Sequence, residues 1–173
     1  MKNALSRLVR ALVLIALVCA GSARAHAQTL TPLYQYRYGD LQDFFITTNF
    51  NELGSGGGGW TYLGFLMYVD DSQAQGTVPL HRFYSPVNGT HFYSTDYNEV
   101  GAPVWTYEGV TGYIWPDQQS GTQPIRRWFK WVGNGPVHIY KFYNAAEDDY
   151  LASTGWTFEG IIGYAPPCTR NCY

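Results

Sequence analysis

Pro79-Leu80-His81-Arg82-Phe83-Tyr84, then Asn88-Gly89-Thr90-His91-Phe92-Tyr93-Ser94-Thr95, then Trp105-Thr106-Tyr107-Glu108-Gly109-Val110-Thr111-Gly112-Tyr113 form the fullest copy of a unit written three times in this chain. Pro32-Leu33, Pro79-Leu80 and Pro124-Ile125 open the copies, which begin 47 and then 45 residues apart. Trp60-Thr61-Tyr62-Leu63-Gly64, Trp105-Thr106-Tyr107-Glu108-Gly109 and Trp156-Thr157-Phe158-Glu159-Gly160 close them. A fixed period of about 20–50 residues marks a repeat architecture, whose units bury their apolar faces on one another. The repeats run over about 31–70, 78–116 and 123–165, with a tail at 166–173.

Within each copy the pattern is one of short strands and tight turns. The 6 Trp, 15 Tyr and 9 Phe all lie beyond residue 27, and charges are sparse, a composition suited to strands. Leu80–Tyr84 and His91–Thr95 read as a hairpin, and Asn88-Gly89 between them reads as a two-residue type I′ turn. Trp105–Trp115 reads as a longer strand in which Trp105, Tyr107, Thr111, Tyr113 and Trp115 share a face, with a bulge or bend at Gly109 and Gly112. Asn49-x-x-Glu52, Asp96-x-x-Glu99 and Asn144-x-x-Glu147 have the form of a capping box, in which the Glu reaches back to the cap. In the third copy Ala145–Ser153 is long enough for two helical turns, ended by Gly155. These signals predict an all-β fold of three tandem repeats with pseudo-threefold symmetry, with one short capped helical turn per repeat. The closure is β-trefoil-like or, alternatively, a three-bladed propeller-like ring.

The copies differ where charge is concerned. Arg82 and Arg127 are matched by Gln35 in the first copy, and Glu108 and Glu159 by Leu63. Removing one member of a buried pair is costly, so joint loss predicts that Arg82 pairs with Glu108, and Arg127 with Glu159, across neighbouring strands. His91 and His138 occupy one repeat position, filled by Phe44 in the first copy. Each is expected to donate to a neighbouring carbonyl, and, lying apart about the axis, they do not suggest a shared metal.

Residues 1–27 read as an export signal: Lys2, Arg7 and Arg10, an apolar run from Ala11 to Ala20, and Ala25-His26-Ala27 as cleavage site. The run is too short to span a bilayer, so the mature chain, 28–173, is expected to be a single domain, secreted or periplasmic, without a membrane span. Of eleven Lys and Arg and thirteen acids, Lys2, Arg7, Arg10 and Arg24 leave with the signal, so seven cations face thirteen acids and the net charge is −6. An acidic domain without a basic run offers no footprint for nucleic acid. Cys168 and Cys172 are expected to form a disulfide in an oxidising compartment.

The Pro-Leu-x-Arg-Phe-Tyr, Asn-Gly-x-His-Phe-Tyr-x-Thr and Trp-x-Tyr-Glu-Gly-x-x-Gly-Tyr segments resemble an aromatic-rich repeat of exported microbial proteins, catalogued as a domain of unknown function. The resemblance covers nearly all of residues 31–165 and implies a lectin-like accessory module without catalytic activity. The residues themselves carry no nucleophile elbow, phosphate loop, metal-ligand set or cofactor motif. They do offer rings on which a sugar's C–H face stacks and short polar side chains for its hydroxyls. Candidates in turns and connectors are Asn88, Asp96, Tyr97, Trp115, Trp131 and Asn134. The expected partner is a glycan or cell-surface polysaccharide. The alternative is a periplasmic or cell-surface module that binds protein. A hydrolase would require a cleft with an acid pair or a base–nucleophile contact.

Overall fold

The computed structural model of the chain describes residues 29–40, 43–101, 103–133 and 135–168. The expected export signal, Asn134 and Cys172, and with Cys172 the expected disulfide, lie outside the described residues. The strands are β1 (Leu30–Tyr38), β2 (Asp43–Thr47), β3 (Gly56–Gly57), β4 (Trp60–Asp70), β5 (Val78–Ser85), β6 (Thr90–Ser94), β7 (Thr106–Ile114), β8 (Gln123–Val132), β9 (Gly135–Phe142) and β10 (Thr157–Ala165). Helix α1 (Ala145–Ser153) falls before β10, and a 3-10 turn (Phe50–Glu52) follows β2.

The strands form antiparallel meanders, β2-β1-β4, β6-β5-β7 and β9-β8-β10. The Asp70–Tyr113 pairing joins the first two into one sheet. Bridges from Trp115 to Tyr164 and from Met67 to Pro167 tie the third to both, and Tyr68 N donates to Pro166 O at 3.1 Å. The fold is thus mostly β, a nearly closed barrel-like sheet.

One buried cluster takes Leu33, Leu80 and Ile125 from the central strands of the meanders. It takes Ile46, Tyr93 and Tyr140 from the second strands, and Val69, Ile114 and Ala165 from the third, with Met67 beside them. The two tyrosines also bind backbone. Tyr93 Oη donates to Ile46 O at 2.8 Å and accepts from Ile46 N at 2.9 Å. Tyr140 Oη likewise accepts from Tyr93 N at 2.7 Å and donates to Tyr93 O at 3.1 Å. Each phenol therefore satisfies the exposed edge of the neighbouring meander's strand, and burial pushes both phenol pKa values well up.

Two local expectations are corrected. The β5–β6 connection is a four-residue loop, Pro86–Gly89, in which Gly89 N donates to Ser85 O at 2.7 Å and Asn88 N to Ser85 Oγ at 3.2 Å. Pro86 fixes the loop's first φ and Gly89 takes φ 68° at its end, so Asn88-Gly89 is not a two-residue turn. In β7 the register slips at Glu108 and again at Thr111, which restores the parity. Tyr107, Val110 and Tyr113 then oppose Phe83, His81 and Pro79, so Val110 rather than Thr111 shares the face of Tyr107.

Candidate functional site

The bulges position the charged residues. Glu108 and Glu159 are the extra residues at register slips in β7 and β10, each followed by a glycine at positive φ (Gly109 126°, Gly160 145°). A bulge re-aims its side chain, here toward the central strand of the same meander. Arg82 Nε lies 3.0 Å from Glu108 Oε2, and Arg127 Nε 2.8 Å from Glu159 Oε2. A second acid completes each site. The Arg82 fork donates to both oxygens of Glu52 at 3.3 Å. The Arg127 fork binds Glu99, through Nη1 at 3.1 Å and through Nη2 to the other oxygen. Glu52 and Glu99 come from the cap turns of the preceding meanders, so each arginine joins two meanders.

This corrects the capping-box reading in half. Asn49, Asp96 and Asn144 do accept from backbone N–H groups of the turns they open. The glutamates do not reach back: Glu52 and Glu99 bind guanidinium forks and Glu147 binds Lys141, each a stronger partner than an exposed amide. Burial raises the carboxyl pKa of Glu99, but hydrogen bonds from Arg127 and Ser94 outweigh it and hold the group low. The missed signal was in the first copy, where Glu52 persists although its own Arg and Glu are gone.

The histidines also bind carboxylates rather than the expected carbonyls. Asp43 Oδ1 accepts from Phe44 N and His91 N, both at 2.8 Å, while Oδ2 lies 2.5 Å from His91 Nδ1. His91 Nε2 faces Glu108 Oε2 at 3.5 Å. Asp43, His91, Glu108, Arg82 and Glu52 thus form one array between the first and second meanders. Between the second and third, His138 Nε2 faces Glu159 at 3.4 Å, Thr90 begins β6 as Asp43 begins β2, and His138 Nδ1 has no hydrogen-bond partner. Between the third and first, Gln35, Phe44 and Leu63 replace the polar set, and Glu147 pairs with Lys141 at 2.8 Å.

His138 gives a pH prediction. Burial, reinforced by the Arg127 charge, lowers its pKa from 6.5 to about 3, so the folded state holds it neutral. Below pH 6.5 the unfolded chain takes up a proton that the native state refuses until about pH 3. Stability from this group is therefore complete above that window and lost as the pH falls through it, by about 1.4 kcal/mol per pH unit at the steepest. Denaturant midpoints of the wild type should fall more steeply between pH 6.5 and 4 than those of His138→Phe, which copies Phe44. Parallel slopes would refute the assignment.

The sequence-derived binding candidates scatter. Asn88 packs on Gly135, where an added Cβ would lie 2.3 Å from Asn88 Cγ. Trp115 covers Gly76 and pairs through its backbone with Tyr164. Asp96 is an exposed cap, and Trp131 stands 66% exposed at the end of β8. Tyr97, 51% exposed, lines a cleft of about 420 Å³ with Phe83, Trp105 and Tyr107. A second cleft, of about 480 Å³, carries aromatic walls from Tyr38, Trp60 and Tyr84 over a polar floor of Asp43, His91 and Glu108. Trp60 marks the repeat and so reads as core, yet it is only half-buried, unlike Trp156. Among the described residues no cluster of His, Cys, Asp or Glu could hold a metal ion, and no helix is long and apolar enough to cross a membrane.

Fold and site together define a domain of aromatic-rich β-meanders clasped by ion pairs at two of their junctions. A family model, "Domain of unknown function (DUF5648)", matches residues 19–104 and 57–166, and the chain belongs to this family. No curated protein and no solved structure matches it.

Proposed function

We propose that this is an exported, non-catalytic, lectin-like module that binds glycan in the cleft between Tyr38, Trp60 and Tyr84. The observation that carries the reading is the cleft itself: rings stand around hydrogen-bond acceptors already fixed in place. A sugar presents an apolar C–H face to such rings and hydroxyls to such acceptors. Glu108 is held by Arg82 and the His91 ring by the buried Asp43, so little ordering remains to be done on binding.

The same geometry speaks against a nucleophile activated by His91. Both ring nitrogens of His91 face carboxylates, so neither is placed to take a proton from a nucleophile. We further infer three copies of one meander about a pseudo-threefold axis. Supporting this are the core positions drawn in threes and the successive ties from β4 to β7, β7 to β10 and β10 to β4. Three-stranded meanders favour the propeller-like ring over the trefoil.

The test is retention of the mature protein on insoluble polysaccharides of different linkage. Trp60→Ala should weaken retention by at least about tenfold, equivalent to about 1.4 kcal/mol. Uniform failure to bind, or a variant retained like the wild type, would remove the proposal.

A further inference from the structure

We propose that the junction between the third and first meanders is a second binding site, shaped for a small anion with an apolar or aromatic body, of the aryl-carboxylate class. It shares no lining residue with the Trp60 cleft, so either proposal can fail alone. At the other junctions an arginine, two glutamates and a histidine occupy the corresponding positions. Here Gln35, Leu63 and Phe44 leave a cavity of about 350 Å³, within the size range of small-ligand pockets.

The chemistry of the lining selects the ligand. Phe44, Leu63, Ile139, Leu151 and Trp156 give it an apolar body that neither water nor a bare inorganic anion would complement. Arg37, Lys130 and Lys141 stand around this body against a single carboxylate, Glu147. Two of the cations are already engaged, Lys141 with Glu147 at 2.8 Å and Lys130 with Thr154 O at 2.6 Å. Arg37 makes no hydrogen bond or ion pair with any described residue, and its Nε is closed off from solvent. An arginine without an acidic partner in the lining of an apolar cavity is matched by a carboxylate, which takes two parallel bonds from the terminal nitrogens of the fork. A neutral sugar would leave both the fork and the apolar body unmatched. The ligand therefore combines a ring or short hydrocarbon with one carboxylate.

The probe is 2-naphthoate, titrated into the mature protein beside its uncharged isostere 2-naphthamide and followed through the Trp156 indole N–H resonance. One saturable site is expected, with 2-naphthamide at least tenfold weaker. Arg37→Gln should weaken naphthoate by a similar factor while leaving the amide unchanged. Leu63→Trp, which fills the cavity from a partly exposed position, should abolish both. The comparison of the two probes uses the wild type alone, so it stands even where a variant fails to fold. No naphthoate binding, equal affinity for the two probes, or a response at Trp60 or Trp105 in place of Trp156 would each overturn the assignment.

Discussion

Replacing Arg127 by Gln is expected to lower the stability of the domain by about 3–5 kcal/mol, the cost of stranding buried charge. The side chain is only 9% exposed, and it is held between Glu99 of one meander and Glu159 of the next. Without it two carboxylates are left facing each other at the junction. The melting temperature should drop by roughly 10 °C or more. The first meander indicates the remedy, because it carries Gln35, Leu63 and Phe44 at the corresponding positions. The triple variant Arg127→Gln, Glu159→Leu, His138→Phe should therefore recover more than half of the loss. A single-variant cost below about 1 kcal/mol, typical of exposed pairs, would show that the junction does not depend on this charge.

Tyr93→Phe is the second large effect. The substitution removes one oxygen and leaves the ring in place, yet that oxygen serves both Ile46 N and Ile46 O in a site closed to water. Leaving a buried donor and acceptor unpaired should cost about 2–4 kcal/mol. Tyr36→Phe provides the control. Its hydroxyl donates to Gly54 O at 2.8 Å, on a half-buried loop where solvent can replace it, and a loss below about 1 kcal/mol is expected. Chemical denaturation of the two variants side by side measures the difference, and equal costs would mean that Tyr93 acts by packing alone.

Much of this architecture was legible because similar motifs recur along the sequence. The shared positions of Leu33, Leu80 and Ile125 located the core, and the joint loss of Arg and Glu in the first copy pointed to Arg82 with Glu108 and Arg127 with Glu159. Helix α1 was legible for a local reason: its cap, its length and its terminating glycine all lie within a dozen or so residues of sequence. What local patterns could not convey was how one meander addresses the next. Glu52 and Glu99 carry a signature of self-capping, but the guanidinium that claims each comes from a strand formed later in the chain. Asp43 was invisible for a different reason. Its successors, Thr90 and Val137, are chemically unlike it, so no repeat pattern marked it. The binding candidates were drawn from turn tips on the premise that repeat landmarks are buried, and Trp60 breaks that premise.

The tie between Pro166 O and Tyr68 N, with the Met67–Pro167 bridge beside it, also governs how the domain comes apart. It fastens the end of the chain's last strand to the first meander, so the barrel-like sheet closes only when residues about 100 positions apart meet. A contact between such distant positions carries a large loop-closure entropy, which is recovered only when all the intervening meanders are in place. Loosening that clasp exposes strand edges in two meanders at once, which makes unfolding a single concerted event instead of a peeling of one unit after another.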